Sequence, residues 1–244
     1  MTDTGPERIV PSAVRAAAGA GPRPAGAGGR QAGGDVWSGR AEAYRDAADQ
    51  SAGGDLELLV SWAEGRTALD VATGGGHTAR RLREAGFDVV TLDPAPGMRA
   101  DVLARAEDIP FADSSFDVVA CRIAPHHFTD VGAAVGEMAR VARDLVLVED
   151  TLYESETMEK AERLRDPTHV RSHSEADWRR LFQGAGLTVE EVRVLEKARP
   201  VDAWLERAGC VGEEAARVKE LLADHIADGD FIDRKILLRG RKRR

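Results

Sequence analysis

From about Trp37 onward, apolar and polar positions alternate in a way that divides the chain into successive strands and helices. Residues 55–64 place Leu56, Leu59 and Ala63 on one helical face, and Gly65 supplies a stop. Residues 67–72 read as a short apolar strand. Glycines follow at 74, 75 and 76, and 78–85 return to helical spacing before Gly86. Residues 87–92 are the next strand, closed by Asp93. Strand, glycine turn, helix and strand form a βαβ unit, whose strands run parallel with a right-handed crossover. Further strands are predicted at 116–121, 145–149, 187–195 and 231–238. The run at 145–149 has the apolar character of a strand buried on both faces. Asp130 opens a helix through Ala142 with Val131, Ala134, Val135 and Met138 inward. Ser174 and Asp177 make a capping-box pattern ahead of Trp178, Leu181, Phe182 and Ala185. Val211, Ala215, Val218 and Leu222 recur at helical spacing between the last two strands. Strands alternating with helices predict a doubly wound α/β sheet, and not a barrel or a bundle.

Composition bounds this domain. Residues 1–35 are dominated by Ala, Gly, Pro and Arg, and predict a disordered extension ahead of a domain at 36–240. Residues 241–244 close it as a basic, solvated tail. The net charge of −8 argues against a general partner among nucleic acids or membrane surfaces. No apolar run approaches the roughly 18 residues of a membrane span, and the first residues lack a signal-peptide core. Cys121 and Cys210 make neither a disulfide framework nor a metal spacing, so the chain is read as cytoplasmic. No metal site is expected, because His126 and His127 are adjacent and no carboxylate stands at ligand spacing.

The chemistry concentrates after the first strand, in LDVATGGGHT at 69–78. Residues without a Cβ clash let the turn close tightly and let a ligand approach the backbone at a helix N-terminus. A carboxylate at Asp93, ending the second strand, suits the two ribose hydroxyls of an adenosine ligand. The spacing Gly74-x-Gly76-x-x-Ala79 also matches the dinucleotide fingerprint. Asp70, four residues before the glycines, suits an ammonium group, which a methionine end has and a pyrophosphate lacks. No later segment offers a nicotinamide site. These two features favour S-adenosylmethionine over NAD.

The chain resembles the small-molecule class I methyltransferases related to those of ubiquinone and menaquinone biosynthesis. The resembling pieces are LDVATGGGHTA (69–79), LDPAPGM (92–98), AEDIPFADSSFDVV (106–119), CRIAPHHFTD (121–130), EMARVAR (137–143) and RLRDPTHVR (163–171), with WSGRAEAY (37–44) fitting the N-terminal segment. The resemblance implies a Rossmann-like seven-stranded sheet in the order 3-2-1-4-5-7-6, its last strand antiparallel. It also implies methyl transfer from S-adenosylmethionine to a small organic acceptor, phenolic or quinone-like. By the same pattern Ala72, Gly74 and Gly76 hold the methionine part and Asp93 the ribose. Ala106 and Glu107 flank adenine, Arg122 and Ile123 line the pocket after the fourth strand, and Tyr44 lies at the cofactor. His126 and His127 face the acceptor as candidate bases, with Arg165, His169 and Arg171 as further substrate-side candidates in a polar cluster between two helices. His77 is read as structural.

The chain also departs from that pattern. Ala72 replaces a glycine, and Arg105 stands where an adenine-contacting Asp is usual. Eight residues separate Asp93 from the next strand near Val102, too few for a full crossover helix. Arg143 and Asp144 join helix to strand with no glycine turn. The sheet face left bare needs cover from segment 37–54 or from a partner subunit, as in a homodimer. These departures keep two other classes open: a binding or scaffold protein on the same fold, and an NAD-dependent oxidoreductase.

Overall fold

The computed structural model describes residues 34–45 and 53–243. The central sheet takes the expected order, with its strands β1 (Thr67–Val71), β2 (Asp88–Asp93), β3 (Val102–Leu103), β4 (Phe116–Arg122), β5 (Ala142–Thr151), β6 (Leu187–Pro200), β7 (Ile226–Ala227) and β8 (Asp230–Lys242) arranged as β3-β2-β1-β4-β5-β8-β6. The two-residue β7 pairs with β8 off this path and makes the count eight. The long β8 runs antiparallel between β5 and β6, as the resemblance implied for the last strand. The other neighbours, from β3 to β5, are parallel.

Successive residues of a strand point to opposite sheet faces, and β4 shows both cores at once. Val119 and Cys121 join Leu69, Val71, Val146 and Val148 on one face. That face is covered by α4 (Val131–Val141) and α6 (Glu175–Gly184) through Met138, Trp178 and Phe182. Val118 and Ala120 join Ala68, Leu145 and Leu147 on the other face. There α2 (Gly54–Ser61) and α3 (His77–Glu84) supply Leu59, Ala79 and Leu82. Polar residues start these helices. The Asp130 side chain accepts from Ala133 N, and Ser174 and Asp177 form the capping box.

A third cluster lies beyond the sheet. It joins α5 (Glu156–Arg165), α7 (Val201–Arg207) and α8 (Gly212–Leu221) to β8 through Met158, Trp204, Leu205, Val218 and Phe231. The seven-residue α7 lies where the sequence pattern shows none, because its period is too short to register. Strand β6 continues to Pro200, past the predicted end at 195. Its last residues are charged and pair across the strands, as Glu196 does with Arg234 at 2.9 Å. Strand β8 likewise runs past the expected boundary at 240, so Arg241 and Lys242 belong to the sheet and not to a tail. Glu190 lies on the neighbouring β6, and Arg241 pairs with it at 2.6 Å and with Glu64 at 3.1 Å. Such half-exposed pairs contribute little singly, about 0–1 kcal/mol.

The shortened segment after Asp93 forms one 3₁₀ turn, Pro96–Met98, where a crossover helix would otherwise stand. Helix α1 (Gly34–Arg45) covers the gap, so the cover comes from the chain itself. Trp37 and Ala41 pack on Ala95 and Met98. Arg45 donates to Gly97 O at 3.0 Å, and Gly97 N donates to Ser38 Oγ at 3.1 Å. A Cβ on Gly97 would lie 2.6 Å from Ser38 Cα and 2.8 Å from Ser38 O, so only glycine allows this approach. Gly97→Ala is expected to lower stability by about 1–3 kcal/mol, the usual cost of forcing atoms into packed space. It should also lower hydrogen-exchange protection in α1 while leaving β1, β4 and β5 unchanged. Unaltered exchange in α1 would contradict this packing.

Candidate functional site

Parallel strands end together, and the carboxyl edge of β1, β2 and β4 opens into a cavity of about 900 Å³, counted to its open mouth. Ala72, Gly74, Asp93, Ala106, Glu107, Arg122 and Ile123 all line it, so most of the residues expected around a cofactor are brought together. His127 also lines it, and so does His77, within its wall. Tyr44 falls in α1, with its side chain outside the described residues.

The turn between β1 and α3 is left-handed at three positions: Ala72 at φ 52°, Gly74 at 51° and Gly76 at 76°. Ala72 shows that the conformation survives the loss of the family glycine. Ile123, on the opposite wall, is also left-handed at φ 50°. Non-glycine residues in this region carry strain and gather at functional sites. Gly76 sits outside the cavity wall, where it is the N-cap of α3.

Two carboxylates hold the turn. Asp93 lies at its side, with Oδ2 accepting from Gly74 N at 3.0 Å and Oδ1 from Ala95 N at 2.9 Å. Burial raises its pKa from the usual carboxylate range. Asp70 lies beneath, and its Oδ2 accepts from Thr73 Oγ1 at 2.6 Å and from Ala79 N at 3.1 Å. It does not line the cavity, so the expected direct contact with a ligand ammonium is replaced by support of the loop. Burial pushes its carboxyl up to about 6, against the pull of these two bonds.

At the far end, Glu107 accepts from Thr129 N at 3.1 Å and pairs with Arg105 at 3.0 Å. Arg105 thus finds its charge partner two residues away, in a position where an acid is usual. Arg122 is buried and pairs with Glu149 at 2.7 Å and Asp55 at 2.5 Å. Burial drives the Glu149 carboxyl up to about 7, with Arg122 opposing, and Glu149 Oε1 is buried without a hydrogen-bond partner. The resemblance had marked Arg122 but not these two acids, which are distant in sequence. Trp37, Met98 and Phe128 complete the lining. The Trp37 ring meets His127 edge-on at 4.6 Å. No sequence spacing marks Trp37 or Met98, since the packing of α1 is what brings them here.

His126 and His127 divide between two cavities. His127 Nδ1 lies 3.0 Å from Thr168 O, and its ring lies 4.0 Å from that of His126. His126 Nδ1 lies 2.5 Å from Asp150 Oδ1, and His126 faces a second, smaller cavity beyond His127. Burial pushes both imidazoles down to about 3, so both are neutral near pH 7. Arg165 lines this second cavity, pairing with Glu162 at 3.0 Å and stacking 4.5 Å over Trp204. His169 is buried 3.4 Å from Glu159, and Arg171 is exposed; neither lines either cavity.

Two outcomes follow from the turn. Ala72→Gly relieves a left-handed alanine and is expected to raise unfolding free energy by up to about 1 kcal/mol in urea melts; a loss of stability would refute the strain. For Asp70, the folded pKa of about 6 lies above the ordinary aspartate value of 3.8. Its contribution is therefore fully present below about pH 4 and lost as pH rises through about 6. Two pKa units correspond to about 3 kcal/mol. Asp70→Asn keeps an oxygen for both bonds and removes the titration. Relative to this variant, the wild type is expected to lose about 3 kcal/mol between pH 4 and 8, and a difference independent of pH would refute the burial argument.

Comparison with known proteins places this geometry. A family model described as a methyltransferase domain matches residues 69–147, from the glycine turn into β5. The uncharacterised methyltransferase YcgJ of Bacillus subtilis is 32% identical over 219 residues, covering 79% of this chain and 85% of that protein. The crystal structure of YcgJ superposes with a TM-score of 0.69 at 27% identity, over 78% of this chain and 98% of that one. The demethylmenaquinone methyltransferase of Renibacterium salmoninarum is 37% identical over 89 residues, 32% of this chain and 38% of its own length. With the strand order, the left-handed turn and Asp93 in place, the chain belongs to the class I methyltransferase family.

Proposed function

We propose that this protein transfers a methyl group from S-adenosylmethionine to a small organic acceptor by in-line displacement. One observation carries the reading: Asp93, held by two backbone amides, stands on the wall of a cavity that the left-handed turn 72–76 also lines. Each Asp93 oxygen accepts one backbone N–H and keeps a further lone pair for a ribose hydroxyl. Ala106 and Glu107 would hold the adenine, with Met98 and Phe128 as apolar walls. The turn, Arg122 and Ile123 would hold the methionine part. Asp55 and Glu149 would fix the Arg122 guanidinium in that wall. When bound, S-adenosylmethionine supplies a methyl group already activated on sulfonium.

The chain's own task is then orientation and exclusion of water, and orientation contributes roughly 7–11 kcal/mol in favourable cases. Trp37 and His127 close the acceptor end of the cavity. An acceptor that holds its proton needs a base within reach. His126, neutral and oriented through Nδ1 by Asp150, keeps Nε2 to accept a hydrogen bond from such an acceptor, and its depressed pKa suits it to an acceptor whose proton is already acidic. The part-length resemblance to a demethylmenaquinone methyltransferase supports an acceptor of small-molecule type.

Calorimetric titration of S-adenosylhomocysteine tests the reading. The wild type is expected to bind at micromolar Kd, and Asp93→Ala to lose at least tenfold, because charge-assisted hydrogen bonds contribute about 1.5–3 kcal/mol each. Binding of NADH with no response to S-adenosylhomocysteine would favour the oxidoreductase class. No binding of either would favour the scaffold.

A further inference from the structure

The second cavity differs in character from the first. It measures about 490 Å³ to its mouth and shares Ile123 and His127 with the cofactor cavity, so the two adjoin at that wall. Neither of the other two cavities described shares a lining residue with the first. An acceptor must approach the methyl group from the side opposite the departing sulfur, and this cavity is the neighbouring space from which one can do so.

Its charge is unbalanced. Arg165, Arg199, Arg207 and Lys235 face it, against the carboxylates Glu162, Asp166 and Asp233. Despite burial, all three carboxyls are held below their ordinary values, Glu162 chiefly by Arg165, Asp166 by hydrogen bonds from Thr168, and Asp233 by Lys235 and Arg199, so all three are ionised at neutral pH. Asp166 is also paired with Arg40 from α1, at 3.1 Å, so part of its charge is compensated from outside the cavity. The single carboxylate Asp233 lies between Arg199 and Lys235, with Lys235 Nζ at 2.9 Å. Lys235 Nζ also donates to Thr151 Oγ1 at 2.8 Å. His126 and His127 add no charge, and Asp150 behind His126 is pushed toward its neutral form by burial. Excess positive charge in a half-closed space, away from bulk water, favours an anion that forms charge-assisted bonds there. Trp204, with the Arg165 guanidinium stacked 4.5 Å over its ring, also lines the cavity.

Building on the methyl-transfer reading, we propose that this cavity is the acceptor site and that it takes a small molecule bearing a carboxylate. The acceptor's charge is anchored by Lys235 and Arg207, and its reacting end is turned past His126 toward the wall shared with the cofactor cavity. An extended, uncharged quinone tail finds no apolar channel in this lining.

The test uses protein saturated with S-adenosylhomocysteine, so that the cofactor reading is checked first; absence of that binding would bring down the cofactor reading and leave the charge test to be judged on the unloaded protein. Acetate, propionate and benzoate are then titrated against their amides, followed by amide chemical shifts. At least one carboxylate is expected to bind tenfold or more tightly than its amide, with shifts at Thr151, His126 and Lys235. Lys235→Met and Arg207→Gln should each weaken that binding tenfold and leave S-adenosylhomocysteine affinity within twofold of wild type. Arg207 lies at the half-buried rim, so its variant decides the matter if Lys235→Met does not fold. Equal affinity for acids and amides, no binding by any acid, or wild-type affinity in Arg207→Gln would overturn the proposal.

Discussion

The rest of the site is arranged around the turn after β1, where the backbone must leave a buried strand and enter a helix within a few residues. Such a turn needs left-handed dihedrals, and its amides need partners away from water. Asp93 takes the turn amide of Gly74 from the side, and Asp70 from beneath takes the Thr73 hydroxyl and the Ala79 amide in the first turn of α3. Asp93 can stand there because β2 pairs with β1 in a register that places it one residue beyond the Val71–Leu92 pair, beside the turn. The anchoring is electrostatically costly, since burial raises the pKa of both carboxyls. Asp70 therefore gives up stability near neutral pH in return for a fixed loop. This is the usual relation between a preorganised site and its scaffold.

The lost crossover helix after Asp93 shows how such a scaffold tolerates deletion. The face that helix would cover is apolar, and exposing it would sacrifice the burial of Ala95 and Met98. Helix α1 restores that burial and does more. Through Trp37 it reaches His127, and through Arg40 it reaches Asp166 and Ala208 O at 2.9 Å. One helix thus lines the first cavity through Trp37 and braces Asp166 in the wall of the second.

Charge is distributed against the average of the chain. The protein is acidic overall, yet the second cavity collects cations from α5, α7, β6 and β8. A net charge describes solubility and long-range steering; it does not describe a cavity, whose potential depends on the few charges that face it. The imidazoles follow the same local logic, because burial first, and for His127 the adjacent His126 after it, keeps them neutral.

What the sequence determined by itself is local in origin. The βαβ order, the glycine turn, the N-cap at Asp130, the capping box at Ser174 and the carboxylate at Asp93 each depend on residues a few positions apart. Periodicity and backbone sterics report such features directly. The motif resemblance then supplied the strand order and named most of the residues that line the first cavity. Only the tertiary structure decided where side chains that are distant in sequence would meet. It turned Asp70 to the loop, gave Arg122 its two acids, and drew Arg241 into a strand. It placed α1 over the shortened segment, set Lys235 and Arg199 around Asp233, and brought Arg207 to the same cavity. The physical reason is that burial and charge pairing act through space. A sequence lists which charges exist, whereas the packing of helices on a sheet decides which of them share a cavity.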